Sequence, residues 1–261
     1  MSDESIVAEG LTRLFGPLVA VDRLFLRVPR GCFYGFLGPN GAGKSTTLKM
    51  LTGLLRPTAG RIRILGLDLA TEPVGIKRRI GVVPEDLNLF ERLTGAEFLS
   101  FSGRMHGLPR KTIRERSEEL FALMDLVDKR DELVVDFSHG MKKKLSLAAA
   151  LIHKPDVLFL DEPFEGVDAV SSHAIKEVLS ALVGRQATVF LTSHILEIVE
   201  RLCTHVGIIH KGRMVAEGPV EELRRGVPIA GQEAVRRTLE EVFLSLVQEP
   251  GRVERKLSWI E

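Results

Sequence analysis

Gly38-Pro39-Asn40-Gly41-Ala42-Gly43-Lys44-Ser45 has the spacing G-x-x-x-x-G-K-[ST], and the chemistry such a segment supports is the holding of a polyphosphate. Backbone N–H groups of this loop can turn inward onto phosphate oxygens. Gly41 and Gly43 permit the tight path because they lack a Cβ. Lys44 has the reach to meet β- and γ-phosphates, and the Ser45 hydroxyl is a natural Mg²⁺ ligand. Nucleotide binding by Gly38, Pro39, Asn40, Gly41, Ala42, Gly43, Lys44 and Ser45, with Thr46 behind them, is the first expectation.

Three further groups could act on a bound nucleotide. Asp156-Val157-Leu158-Phe159-Leu160-Asp161-Glu162 is an apolar run that ends in two acids. Asp161 can serve the Mg²⁺ shell and Glu162 can polarise an attacking water. The plainer reading is a solvated acidic pair, and the upstream loop weighs against it. Thr192-Ser193-His194 closes another apolar run. A lone histidine there is ordinarily structural; beside a γ-phosphate it can bond an oxygen and orient the water. Phe137-Ser138-His139-Gly140-Met141 precedes a helical segment from Lys142 to Ile152, with Leu145, Ala148, Ala149 and Ile152 on one face. Ser-x-Gly at a helix start can hold a second anion, but simple N-capping by Ser138 fits the spacing better. Lys142, Lys143 and Lys144 sit where the macrodipole disfavours cations. An anion there would compensate, with at most one or two of the three facing it.

The elements that must position these groups follow from periodicity. Cys32–Leu37 reads as a buried strand before the loop, and Ser45–Leu51 as a helix after it, the order a phosphate cradle requires. Residues 6–30 read as antiparallel strands with a polar outer face. Arg61–Gly66 alternates like a half-buried strand, and Ile80–Val83 is an apolar strand stopped by Pro84. Over 91–154, Ile113, Leu120, Leu123, Met124 and Val127 recur at helical spacing, with a break at Gly107-Leu108-Pro109. Strands return at Val157–Leu160, Thr188–Thr192 and Val206–Ile209 with helical pattern between them, which implies a mostly parallel sheet. Near the C-terminus Leu239, Val242, Phe243 and Leu246 share one helical face, expected to pack back on the body or to meet a partner.

Composition narrows the function classes. A formal net charge of +1 over 261 residues supplies no global field to recruit nucleic acid, so no nucleic-acid partner is expected. No apolar run approaches the roughly 18 residues needed to cross a bilayer, and the acidic start Met1-Ser2-Asp3-Glu4 leads into no signal-peptide core. Two cysteines, Cys32 and Cys203, are too few for a metal or disulfide framework and suit a reducing cytosol.

Taken in order, these motifs resemble the ATP-binding subunit of an ABC transporter over roughly residues 6–225. The resemblance implies an α/β fold: a P-loop NTPase core of ABC ATPase type with an antiparallel β-subdomain, a helical insertion at about 91–154, and a C-terminal extension at 226–261. It implies ATP and Mg²⁺ as cofactors, with Ser45, Asp161 and Glu85 on the metal and Lys44, Glu162 and His194 acting on the γ-phosphate and water. Phe15, in Leu11-Thr12-Arg13-Leu14-Phe15-Gly16, matches the aromatic that stacks on adenine. Ser138, His139, Gly140 and Met141 occupy the signature, which in this family contacts ATP across a head-to-tail dimer, and Asp168 lies in a D-loop. A second ATP-binding subunit and an integral membrane permease are the implied partners. The implied place is the cytoplasm, at the cytoplasmic membrane face through the permease.

Several residues depart from the commonest family pattern. Phe137, His139 and Met141 replace three of the five in Leu-Ser-Gly-Gly-Gln, and the Q-loop glutamine is Glu85. The Ser-x-Gly-Met-Lys pattern is similar to subunits serving exporters of drugs, lipids or polysaccharides. Glu85 is expected to act as an ionised ligand on the Mg²⁺ side. Leu87, Leu89, Phe90 and Leu93 either pack inward or form a groove wall for a permease helix. The alternatives are a soluble ABC ATPase, which usually carries two cassettes, zinc modules or coiled coils not visible here, and a regulatory subunit that binds ATP but barely hydrolyses it.

Overall fold

The computed structural model describes residues 3–225 and 237–247. β1 (Glu4–Phe15) and β2 (Leu18–Pro29) form an antiparallel pair. Leu24, Leu26 and Val28 of β2 point into the core while Phe25 and Arg27 point out, the period-2 alternation of a half-buried strand. After β3 (Phe33–Leu37) and α1 (Lys44–Leu51), β4 (Ala59–Ile64) joins β1 on its other edge, and the short β5 (Leu67–Asp68) completes a sheet ordered β2-β1-β4-β5.

The second sheet holds the site. α2 (Pro73–Lys77) leads into β6 (Ile80–Val83), and the helices α3 (Gly95–Met105), α4 (Arg110–Leu123) and α5 (His139–Leu151) follow before β7 (Val157–Asp161). Then come α6 (Ala169–Gly184), β8 (Thr188–Ser193), α7 (Leu196–Leu202), β9 (His205–His210), β10 (Arg213–Pro219) and α8 (Val220–Arg225). The strand order is β10-β9-β3-β8-β7-β6, parallel except for β10. β3, β7 and β8 are buried along their whole length, as strands covered on both faces must be. Phe190 of β8 locks the centre: its ring stacks on Tyr34 at 5.4 Å and lies 5.5 and 5.6 Å from Phe36 and Phe159. The register pairs Leu37 with Ser193 and Asp161 with Thr192. The loop after β3, the acids at the end of β7 and the histidine after β8 therefore emerge side by side at the carboxyl ends of the strands, where open α/β sheets bind ligands.

The helices between β6 and β7 keep the expected break: Gly107 has φ +74 before Pro109. α3 starts on a capping box, Thr94 with Glu97. α5 differs from the single apolar face read from its pattern. Leu145 and Ala148 are buried, but so are Leu147, Ala150 and Leu151, while Ala149 is only half-buried. The helix is enclosed on several sides, with its contacts to β6 and α3 among them. β5 and β10 leave little trace in the sequence: the first is two residues long, and in β10 charges interrupt the apolar pattern. The apolar face near the C-terminus forms α9 (Leu239–Val247), which packs on α7 and α8 through buried Leu239 and Val242 with Phe243 beside them, while Leu246 stays more exposed. The remainder of the extension, 226–236 and 248–261 with Trp259, lies outside the described residues.

Candidate nucleotide site

The phosphate loop turns through left-handed backbone. Gly41 has φ +77 and Gly43 φ +107, and a Cβ at Gly43 would come within 2.7 Å of the Ala20 carbonyl oxygen. Glycine at 43 is therefore fixed by a close approach to β2 as well as by φ. The Ala42 N–H bonds the Pro39 carbonyl at 3.1 Å, and Gly212 N–H donates to the Ala42 carbonyl at 2.9 Å. The loop opens α1 and faces a cavity of about 700 Å³. Asn40, Gly41, Gly43, Lys44, Ser45 and Thr46 line one part. Phe15 with Leu18, Val19 and Ala20 lines another, and Glu85, Glu162, Glu165 and His194 come from the loops after β6, β7 and β8.

Charge in this cavity is organised around Glu162. Lys44 Nζ donates to the Gly38 carbonyl at 2.9 Å and lies 3.5 Å from Glu162 Oε1, with both side chains less than a tenth exposed. Glu162 Oε2 lies 3.0 Å from His194 Nδ1 and accepts the His194 backbone N–H at 3.3 Å. A buried carboxylate thus bridges the loop lysine and the histidine. Its backbone sits at φ +47, an unfavourable region for a side chain of this size. Two contacts hold it there: its N–H donates to Thr192 Oγ1 at 3.1 Å, and its carbonyl accepts Lys143 Nζ at 3.0 Å.

Beside it, Thr192 Oγ1 donates to Asp161 Oδ1 at 2.5 Å, and Ser45 Oγ meets the same oxygen at 3.3 Å. A hydroxyl and a buried carboxylate converging in this way form a hard-oxygen set that fits Mg²⁺. The carboxyl of Glu85 is pushed above the usual range, first by burial and then by the negative charges of Asp161, Glu165, Glu162 and Asp86. The site thus holds more carboxylate than it can neutralise alone, the condition a divalent cation relieves.

The structure separates the other expected residues from this cavity. Ser138, His139, Gly140 and Met141 do not line it. Ser138 Oγ accepts the Met141 N–H at 3.2 Å, so capping holds within the chain. Lys142 and Lys143 already have partners: Lys142 Nζ pairs with Glu91 at 2.6 Å, and Lys143 Nζ donates to the carbonyls of Glu162 and Glu165. Two of the three lysines at the start of α5 are therefore met by the chain's own oxygens. Asp168 caps α6, accepting the Ser171 N–H at 2.9 Å, and its carboxyl is held below the usual range by Ser171's backbone and side chain. It also adjoins the signature, since a Cβ on Gly140 would lie 3.6 Å from Asp168 Oδ2.

The sequence pattern assigns no role to Glu165 or Thr192, and it offers Lys143 only to an external anion. Glu165 offers an oxygen that lies, with one ligand atom each of Glu162 and His194, inside a group no more than 4.8 Å across. Its position three residues after Glu162 was the available signal. The roles of Thr192 and Lys143 depend on strand register and helix docking, which no local pattern encodes.

The sequence profile of ABC transporters matches residues 21–165, more than half of the chain. The chain belongs to the ABC transporter family. Within it, this ABC protein is an ATP-binding subunit with ATPase activity. Over 97% of its length it is 40% identical to the daunorubicin/doxorubicin resistance ATP-binding protein DrrA of Streptomyces peucetius, covering 74% of that protein. It is 39% identical to the bacitracin transport ATP-binding protein BcrA of Bacillus licheniformis, over 82% of this chain and 70% of that one. A solved ATP-binding subunit of an ABC transporter superposes with a TM-score of 0.84 at 31% identity, covering 92% of this chain and 98% of that one. No helix among the described residues is long and apolar enough to cross a membrane.

Proposed function

We propose that this subunit hydrolyses MgATP to drive the export of a drug-like or lipid-like compound through a separate permease chain. The observation that carries the reading is the Lys44–Glu162–His194 chain at the mouth of the phosphate loop, with Lys44 and Glu162 buried and His194 open to the cavity. Lys44 and the loop amides would hold the phosphates. A phosphate chain entering the cavity would take over the Lys44 charge from Glu162, freeing that carboxylate to polarise water, with His194 oriented by the same side chain. Ser45 and Asp161, with Glu85 nearby, would hold Mg²⁺, whose contribution is to neutralise phosphate charge. Adenine would stack on the face of Phe15 that the Arg13 guanidinium, 4.5 Å from the ring centroid, leaves uncovered.

We take residues 6–225 as the ATP-binding domain with 91–154 as its helical subdomain, and 226–261 as an extension. Ser138, His139, Gly140 and Met141, which do not line the chain's own cavity, suit contact with the ATP of a second subunit paired head to tail. The export reading rests on the names of the relatives, which concern drug resistance and antibiotic transport. ATP turnover by the purified chain tests catalysis, and turnover indistinguishable from a no-enzyme control would favour the regulatory reading.

Replacing Glu85 tests the metal assignment. A carboxyl with a raised pKa holds its proton to higher pH than an ordinary one, so its metal affinity is lost as pH falls through that value. Wild-type apparent Mg²⁺ affinity in the presence of ATP is expected to weaken as pH falls, and Glu85→Gln to show a weaker dependence. Superimposable Mg²⁺ titrations across pH would remove Glu85 from the metal site.

Leu87, Leu89 and Phe90 line a groove of about 650 Å³ that also includes Leu54, Phe98 and Met105. The leucines pack partly on the core, whereas Phe90 is 57% exposed with its ring edge-on to Phe101 at 5.1 Å. We infer that this groove receives a cytoplasmic helix of the permease. Phe90→Asp should bind ATP normally and fail to co-purify with the permease; a folded variant that still assembles would move the docking site elsewhere.

A further inference from the structure

A second cavity, of about 400 Å³, lies between α3 and α4 and shares no lining residue with the nucleotide site. Four arginines line it: Arg104 from α3, Arg110 and Arg114 from the start of α4, and Arg130 from the segment after a 3₁₀ turn (Val127–Lys129). Glu118 is its one acidic lining residue. Internal pairing absorbs only part of this charge. Arg114 reaches Glu118 only at 4.0 Å, Arg130 pairs with Asp131 at 3.3 Å, and Arg104 donates from Nε to its own helix at Ser100. Arg110 has no hydrogen bond or ion pair among the described residues.

Two features of this cleft favour an anion. Pro109 stands at the N-cap of α4 and gives no side-chain cap, and no acid occupies the first turn. The positive pole of a 14-residue helix is therefore left with Arg110, Lys111 and Arg114, all of its own sign. Ser117 Oγ, which also lines the cleft, is shielded from solvent and has no hydrogen-bond partner, a cost the fold tolerates when a ligand supplies the acceptor. Buried Ile113 and Phe121 provide apolar surface beside these donors. Guanidinium forks match the oxygens of a tetrahedral oxyanion two at a time, which a carboxylate-poor cleft of this size can exploit.

We propose that the α3–α4 cleft binds a phosphate ester with a small apolar moiety, carried either by a soluble metabolite or by the headgroup of an anionic phospholipid. Arg110 and Arg114 hold the phosphate at the open end of α4, Arg104 and Arg130 close on it from the sides, and Ser117, about two turns further along the helix, donates to an oxygen of the rest of the ester.

The test uses the full chain saturated with MgADP, so that the phosphate loop is filled. Glycerol 3-phosphate is titrated by calorimetry, and vesicles of phosphatidylglycerol in phosphatidylcholine are compared with phosphatidylcholine alone by sedimentation. An arginine near an anionic surface contributes about 1 kcal/mol, so Arg110→Gln/Arg114→Gln should weaken binding about 30-fold while MgADP affinity stays unchanged. Arginine-dependent binding of glycerol 3-phosphate alone supports the site with a soluble ligand. Arginine-dependent binding of the anionic vesicles supports it with a lipid headgroup. No binding of either probe, or binding that the double variant retains in full, overturns the proposal. Should the double variant lose MgADP binding, Arg130→Gln across the cleft carries the same test with an expected loss of about fivefold.

Discussion

Glu162→Gln is expected to keep ATP bound while slowing its hydrolysis by about 10²–10⁴-fold, the usual cost of removing a general base. The substitution preserves shape and the Thr192 and Lys143 contacts, which involve backbone atoms of residue 162. It removes the negative charge that lies 3.5 Å from Lys44 and 3.0 Å from His194. Lys44 is then left without its competing carboxylate, so the affinity for ATP should hold or rise. Size-exclusion in MgATP should show an accumulated dimer. Near wild-type phosphate release would reject Glu162 as the group acting on water.

The second large effect is expected at Lys44. Lys44→Ala removes the cation that faces the phosphates and leaves Glu162 buried with only His194 as a partner for its charge. Breaking one side of a buried pair costs about 3–5 kcal/mol, and each lost hydrogen bond from a charged donor to phosphate about 1.5–3 kcal/mol. The variant should melt several degrees lower without nucleotide and bind ATP at least tenfold more weakly. Adding Glu162→Gln to it should recover part of the melting temperature, because the stranded charge is gone, without recovering ATP affinity. If the double variant is no more stable than Lys44→Ala, the ion pair is not what the two buried groups contribute to the fold.

What could be read from the sequence was whatever one short segment encodes. The Gly38–Ser45 loop, Asp161-Glu162 and His194 are each local, and the alternation of strands with helices gave the parallel sheet that gathers them. Hidden from a linear reading were the contacts that register creates: Thr192 on Asp161, Lys143 on the carbonyls of the loop after β7, and Glu165 turned into the cavity. The lysines of α5 show why. Their charge looked like an invitation to an external anion, yet backbone oxygens more than 18 residues away and the Glu91 carboxylate meet two of them. β10 escaped for a related reason, since an edge strand buries too little to write a clear apolar pattern.

The most direct test of the coupling between this ATPase site and a membrane permease is affinity purification of the tagged full chain from its native membranes in mild detergent, followed by phosphate release from the purified material. An integral membrane protein should co-purify with the wild type and with Glu162→Gln, and phosphate release should be present in the first and lost in the second. Vigorous release by a chain that never carries a membrane protein with it would contradict the assignment and leave a soluble ATPase.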